Sequence, residues 1–223
     1  MNEYADARGF AVAYPNGTGS FPFLGLHWNV GTCCGYAAAH RVDDVGFADA
    51  LVAALAREAS VDSAHTFAAG FSAGGMLALR LACERARRFH AVADVAGAMP
   101  DTTCAPAGPV SVLFFQGQKD DDLRFDFHDL LRRGRTFATS LEAAMRFWAR
   151  RDGCAPRDSR DSTAAYRLER ANCPLPLSVQ LYTVRHHPHA WPGGERNWFF
   201  EPDPAQTVKA SPLILDFFAQ HAP

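Results

Sequence analysis

The sequence has no apolar run long enough to span a bilayer, no excess of charge of either sign, no CxxC pair, no internal repeat and no low-complexity tract. Each absence excludes a class. Without roughly 20 consecutive apolar residues there is no transmembrane helix. A formal net charge of −2 with 21% charged residues provides no basic field of the kind that nucleic acid or an anionic membrane demands. Without CxxC spacing, the six cysteines do not read as a zinc or redox site. The first residues, MNEYADARGF, have neither the basic start nor the apolar stretch of an export signal. What remains is a chain of 223 residues with 48% apolar content, enough for one sizeable core, so a single domain over 1–223 is expected. Its composition suits a small neutral or polymeric substrate.

An even number of cysteines fits disulfides and hence an oxidising compartment, although buried thiols serve equally well as small apolar residues. Cys154 and Cys173 are the best pair, because they bracket RDSRDSTAAYRLERAN, a polar stretch that reads as a surface excursion needing a clasp.

Along the chain, GFAVAYP (9–15) reads as a short buried strand stopped by the turn signals of PNGTG. SFPFLGLHWNVGTCCGYAAAH has no sustained period and reads as a long ordered loop. Asp43 or Asp44 caps a helix in which Phe47, Leu51 and Leu55 recur four apart, with Ala48 and Val52 beside them. AHTFAAGF (64–71) is a strand, and GGMLALRLACER (74–85) a helix apolar on nearly every side except Arg80. FHAVADVAG and PVSVLFFQG are continuous apolar runs suited to central parallel strands. A helix at about 140–151 has Ser140 as a possible cap and the stripe Leu141, Met145 and Trp148. SVQLYTV is a further strand, and Thr207 to Gln220 a closing helix that Pro212 begins or interrupts. Strands alternating with helices predict an α/β fold, an open parallel sheet covered on both faces.

Gly70-Phe71-Ser72-Ala73-Gly74 fits the GxSxG nucleophile elbow, since a strand leads in and a helix leads out. The glycines allow the tight turn that lifts the Ser72 hydroxyl off the sheet. A serine becomes a nucleophile when a histidine takes its proton and a carboxylate orients that histidine, and in this fold the chain order is Ser, Asp or Glu, His. Asp120 lies just beyond VSVLFFQG, at a strand's carboxyl end, while Asp121 and Asp122 beside it suit a solvated turn. For the base, His186, His187 and His189 all follow SVQLYTV, and position alone does not choose among them. A metal site there lacks carboxylate or cysteine partners at ligand spacing, so no metal or other cofactor is expected. The remaining histidines read as surface or packing residues. The Ala73 amide is positioned to hold an oxyanion.

These residues resemble a family of secreted esterases that includes polyhydroxybutyrate depolymerases and feruloyl esterases of the LpqC-like kind. The matching pieces are ADARGFAVAYPNGTG, WNVGTCCGYA, VDDVGFADALVAAL, GFSAGGM, LACE, QGQKD and HAWPGG. The resemblance implies an α/β-hydrolase fold, a mostly parallel sheet covered by helices on both faces. It implies Ser72 as nucleophile, Asp120 as acid and, by the HxWPG segment, His189 as base, with Trp191 beside it shaping the substrate cleft. It also implies an extracellular enzyme acting on small-molecule or polymeric esters. Trp28, in the aromatic loop SFPFLGLHW, either stacks on a phenolic acyl group or packs in the core.

Two departures stand out. Gln116-Gly117 replaces the family's HG before the acid. Relatives also carry an amino-terminal region with the first strands and an HG loop that supplies a second oxyanion donor, whereas here eight residues precede GFAVAYP. The expectation is a sheet lacking its first strands, with Met1 an internal methionine of a longer precursor. Two functions follow: an ester hydrolase, or a weak or inactive truncated hydrolase serving as a binding or remnant protein. Peptidase or lactonase chemistry on the same triad is also open.

Overall fold

A computed structural model describes residues 1–21, 24–31, 33–59, 61–99, 103–120, 141–196 and 203–221. Its helices are α1 (Asn2–Asp6), α2 (Gly35–Ala39), α3 (Asp44–Glu58), α4 (Ala73–Glu84), α5 (Leu141–Arg151) and α6 (Ala210–Gln220). The strands are β1 (Thr66–Phe71), β2 (Phe89–Val95), β3 (Ser111–Gly117), β4 (Ala155–Ser162), β5 (Tyr166–Asn172) and β6 (Val179–Val184). They form one sheet in the order β1-β2-β3-β6-β5-β4. β1, β2, β3 and β6 run parallel, and β5 and β4 are added antiparallel at one side. The expected α/β architecture is therefore the one the chain adopts.

Two apolar layers hold the sheet, and the pleat sorts residues between them. Successive side chains on a strand point to opposite faces. Thus Val92, Val112, Phe114, Val179 and Leu181 meet α4 and α5 on one face. Their neighbours Ala91, Ala93, Leu113, Phe115 and Tyr182 meet α6 on the other. Because both faces are covered, β3 is buried at every residue, which is why SVLFFQG lacks polar alternation. Trp148 of α5 is fully buried and anchors the first layer. Burying a side chain such as Phe114 contributes about 1.5–3 kcal/mol. β1 differs: among the described residues it pairs on one side alone, to β2, and most of its residues are half-buried.

Several expectations are corrected. GFAVAYP forms no strand; residues 10–17 are irregular, and Tyr14 is exposed. A strand needs a hydrogen-bonding neighbour, and none of the described strands pairs with it, so Phe10 alone keeps a core contact, edge-on to Phe67. α3 is capped as expected, with the Asp43 side chain accepting from Gly46 N–H. Its buried side, however, is Val45 with Ala48 and Val52, while Phe47 is 43% exposed. The buried side is turned toward Asp44, which is itself buried and accepts from the Asn29 backbone N–H at 2.6 Å through Oδ2.

The excursion between Cys154 and Cys173 is a hairpin, β4 and β5, that extends the sheet. Its polar letters hid it. Glu169 is fully buried yet paired with Arg160 at 2.7 Å, so a charged residue occupies an inward position. The Cys154–Cys173 disulfide does close this segment, and Cys83 pairs with Cys104, as does Cys33 with Cys34. The closing helix starts at Ala210 rather than Thr207, with Pro212 in its first turn, where its missing N–H costs nothing. Ser140, proposed as a cap, lies outside the described residues. No described helix is long and apolar enough to cross a membrane.

Candidate active site

Ser72 stands between β1 and α4 with φ 53° and ψ −120°, a backbone conformation that non-glycine residues rarely adopt. The turn survives because its surroundings hold it. Ser72 N–H donates to Val95 O at 2.8 Å, tying the elbow to β2, and Ser72 O accepts from Met76 N–H at 3.1 Å as α4 begins. A Cβ on Gly70 would overlap the backbone of Gly74, so the first elbow position admits only glycine. Ala73 is the first residue of α4, and its amide is one of the N–H groups that a helix start leaves without an intrahelical partner.

Asp120 and His189 arrive from the middle of the sheet. Asp120 follows β3, and its amide closes a turn onto Gly117 O at 3.2 Å. The loop after β6 is stitched to the same turn: Gln118 N–H donates to Val184 O at 2.9 Å and Lys119 N–H to His187 O at 2.8 Å. The close approach requires Gly117, where a Cβ would overlap the carbonyl oxygens of His187 and Pro188. Asp120 Oδ2 accepts from His189 Nδ1 at 2.9 Å and from Gln116 Nε2, also at 2.9 Å. Donation from Nδ1 to a carboxylate assigns the ring proton to Nδ1 and leaves Nε2 with its lone pair. The His189 ring lies 4.8 Å from the ring of Phe71, the residue before Ser72, so the imidazole is seated beside the elbow. Among the described residues, the Ser72 hydroxyl makes no hydrogen bond to it.

The three histidines left open by position are now distinct. His186 is exposed, with φ 54°. His187 is buried and spent on structure: Ala205 N–H donates to Nδ1 at 3.0 Å, so the ring proton sits on Nε2, which donates to Ala190 O at 2.9 Å. Burial lowers its pKa further, which keeps it neutral. His189 alone of the three meets Asp120. Asp121 and Asp122 lie outside the described residues.

The two tryptophans are partly buried against different core layers, Trp28 against the first and Trp191 against the second. Trp28 stacks on Phe47, and its indole nitrogen comes within 4.0 Å of where a Cβ on Gly74 would stand, which puts it against the elbow. Asn29 holds this stretch of loop, its side-chain amide donating to Val42 O at 2.8 Å and its carbonyl accepting from Arg80 at 2.7 Å. Trp191 instead donates to Ser211 Oγ of α6 at 3.1 Å and packs into the second core layer. The contact of Gln116 with Asp120 has no signal in the sequence beyond the place of Gln116 in QGQKD. Among the described residues, no three His, Cys, Asp or Glu side chains converge as a metal site would need.

Comparison with known proteins adds relatives. A family model described as the prolyl oligopeptidase family (Peptidase_S9) matches residues 2–105, a little under half of the chain. The chain is 34% identical over 212 residues to NocK of Nocardia uniformis subsp. tsuyamanensis, a protein named as an esterase, covering 87% of this chain and 60% of NocK. It is 30% identical over 185 residues to feruloyl esterase B of Piromyces equi, covering 79% of this chain and 33% of that protein. The crystal structure of esterase PE8 superposes with a TM-score of 0.44 at 19% identity, covering 75% of this chain and 60% of that one. The chain thus spans between a third and three fifths of the length of these relatives.

Proposed function

We propose that this chain, an α/β-hydrolase by fold with esterases among its relatives, is a carboxylic ester hydrolase working through an acyl-enzyme on Ser72. The observation that carries the reading is the Asp120–His189 hydrogen bond set beside a strained serine elbow. In the first half-reaction, Ser72 Oγ adds to the ester carbonyl carbon while its proton passes to His189 Nε2. Asp120 stabilises the imidazolium, and the Ala73 N–H donates to the oxyanion. Collapse expels the alcohol, which takes the proton from His189 as the acyl-enzyme forms. Water then attacks with the same proton shuttle, releasing the acid and restoring Ser72.

For the acyl group we favour feruloyl or related polysaccharide esters over polyhydroxybutyrate. The named activity of the Piromyces equi relative supports that choice, and the indole nitrogen of Trp28 beside Gly74 places an aromatic edge at the elbow. The match to the prolyl oligopeptidase family supports a second reading, peptidase activity on the same serine. The paired cysteines support an extracellular setting. Ser72→Ala is expected to reduce cleavage of short-chain nitrophenyl esters to background, and unchanged turnover overturns the assignment. Failure of the wild type to take a fluorophosphonate label marks a non-catalytic protein instead. A panel of feruloyl, acetyl-xylan, hydroxybutyrate and prolyl-amide substrates decides among the acyl groups.

A further inference from the structure

Asp94 is a carboxylic acid that the reaction does not use, placed directly behind the nucleophile. It lies on β2, in register with Gly70 of the elbow, and is 1% exposed. Its Oδ1 occupies a slot between Gly75, in the first turn of α4, and Gly97, in the turn after β2. A Cβ on either glycine would overlap that oxygen. The same Cβ positions come within 3.0 Å of Gly70 O and Ser72 O, so elbow carbonyls border the slot. Both glycines are therefore required by the carboxyl rather than by their own backbone angles, since neither has a positive φ. A short acid between two missing side chains is a fitted contact.

The electrostatics suit a neutral acid. Burial pushes the Asp94 carboxyl up to about 8, with the Gly97 amide as the one opposing influence. That amide is near enough to favour the charged form but is not aligned as a full hydrogen bond. A protonated carboxyl carries one O–H donor and an acceptor, which is what a slot bordered by carbonyls and an amide can use. A charged carboxylate there would be an acceptor facing acceptors.

We propose that Asp94 is a positioning residue for the nucleophile, bolting the Gly70–Gly75 elbow to the turn after β2 so that Ser72 Oγ and the Ala73 amide keep their mutual placement. The proposal rests on the reading of Ser72 as nucleophile. The last residue of β2 already grips the elbow through Ser72 N–H to Val95 O, and Ala96, which opens the turn, is itself held at φ 51°. A carboxyl wedged beneath that pair resists the relaxation that a strained serine would otherwise undergo. An error of about 1 Å at a reacting atom costs on the order of 100-fold in rate.

The test is the rate of fluorophosphonate acylation per folded site, with kcat and KM for a short-chain nitrophenyl ester. Asp94→Ala is expected to lower both the acylation rate and kcat at least tenfold with KM within twofold of wild type. Asp94→Asn, which keeps a donor and an acceptor in the same outline, is expected to restore them to within threefold. Loss of thermal stability with an unchanged acylation rate per folded site would assign Asp94 to packing alone and overturn the proposal. Where Asp94→Ala does not fold, Gly97→Ala, which intrudes on the slot from the other wall, decides by the same criterion. A wild type that takes no label refutes the nucleophile itself, and that outcome is distinct from a labelled wild type with an equally fast Asp94→Ala.

Discussion

Asp120 and His189 leave β3 and β6, the two strands at the middle of the sheet, whereas Ser72 leaves β1, which among the described residues lies at its edge. The central half is held many times over. Its two loops share backbone hydrogen bonds, Gly117 lets them touch, and Gln116 and His189 both donate to one carboxylate oxygen. The edge half is held from one side: among the described residues β1 pairs with β2 alone, Ser72 N–H bonds Val95 O, Ser72 O accepts from Met76 N–H, and the glycine contacts of the elbow and the Asp94 slot complete the hold. A strand with neighbours on both sides fixes what stands on its end through the ladder; an edge strand must rely on local fit. The contrast predicts that damage at the centre is chemical or global, while damage at the edge is a loss of placement.

The largest effect is expected from Asp120→Asn, which keeps the shape of the acid but cannot hold the imidazole with its proton on Nδ1. By analogy with other triads, ester turnover should fall about 10⁴-fold. A fall of less than tenfold would move the acid elsewhere. Next, Phe114→Ala at the fully buried centre should cost about 3–5 kcal/mol in urea unfolding. Phe67→Ala on half-buried β1 should cost clearly less, and equal costs would erase the distinction between centre and edge.

A smaller loss is expected for Gln116→Leu. It removes one hydrogen bond to a charged group, a contact of about 1.5–3 kcal/mol, so kcat should drop roughly 10- to 100-fold with KM little changed. Unchanged turnover would make Gln116 a packing residue. The smallest effect on turnover belongs to Asp94→Asn, whose signature is in stability. Asp94 is raised from 3.8 to about 8 on folding, so the folded state holds its proton more tightly. The resulting stabilisation is complete below about pH 4 and is lost as pH rises toward 8. Melting curves across that window should decline more steeply for wild type than for Asp94→Asn, and parallel curves would mean that Asp94 is already ionised.

Local patterns could be read from the letters where neighbouring residues decide the structure. The elbow, the Asp43 cap, the buried helix after Ser72 and the continuous apolar runs of β2 and β3 depend on turn chemistry or on burial from both sides. The hairpin of β4 and β5 could not be read this way, because Glu169 sits inward and is neutralised by an arginine from the neighbouring strand, a pairing invisible along the chain. GFAVAYP failed for the opposite reason, since apolar letters form a strand only where a partner accepts their hydrogen bonds. The three histidines after β6 also looked alike. Resemblance singled out His189, and the fold separates the three: His189 bonds Asp120, while His187 is occupied on both nitrogens.

By itself the sequence determined the serine elbow, the alternation of strands and helices, and a carboxylate and histidines at strand ends, because each depends on residues within a few positions of one another. Tertiary structure decided which histidine meets Asp120, that Gln116 donates to the same Asp120 oxygen, that Trp191 packs against α6 while Trp28 reaches the elbow, and that the Asp94 carboxyl lies against Gly75 and Gly97. Those outcomes depend on residues brought together from distant parts of the chain by sheet order and by glycines that admit a neighbour. Neither has a signature in any single stretch of sequence.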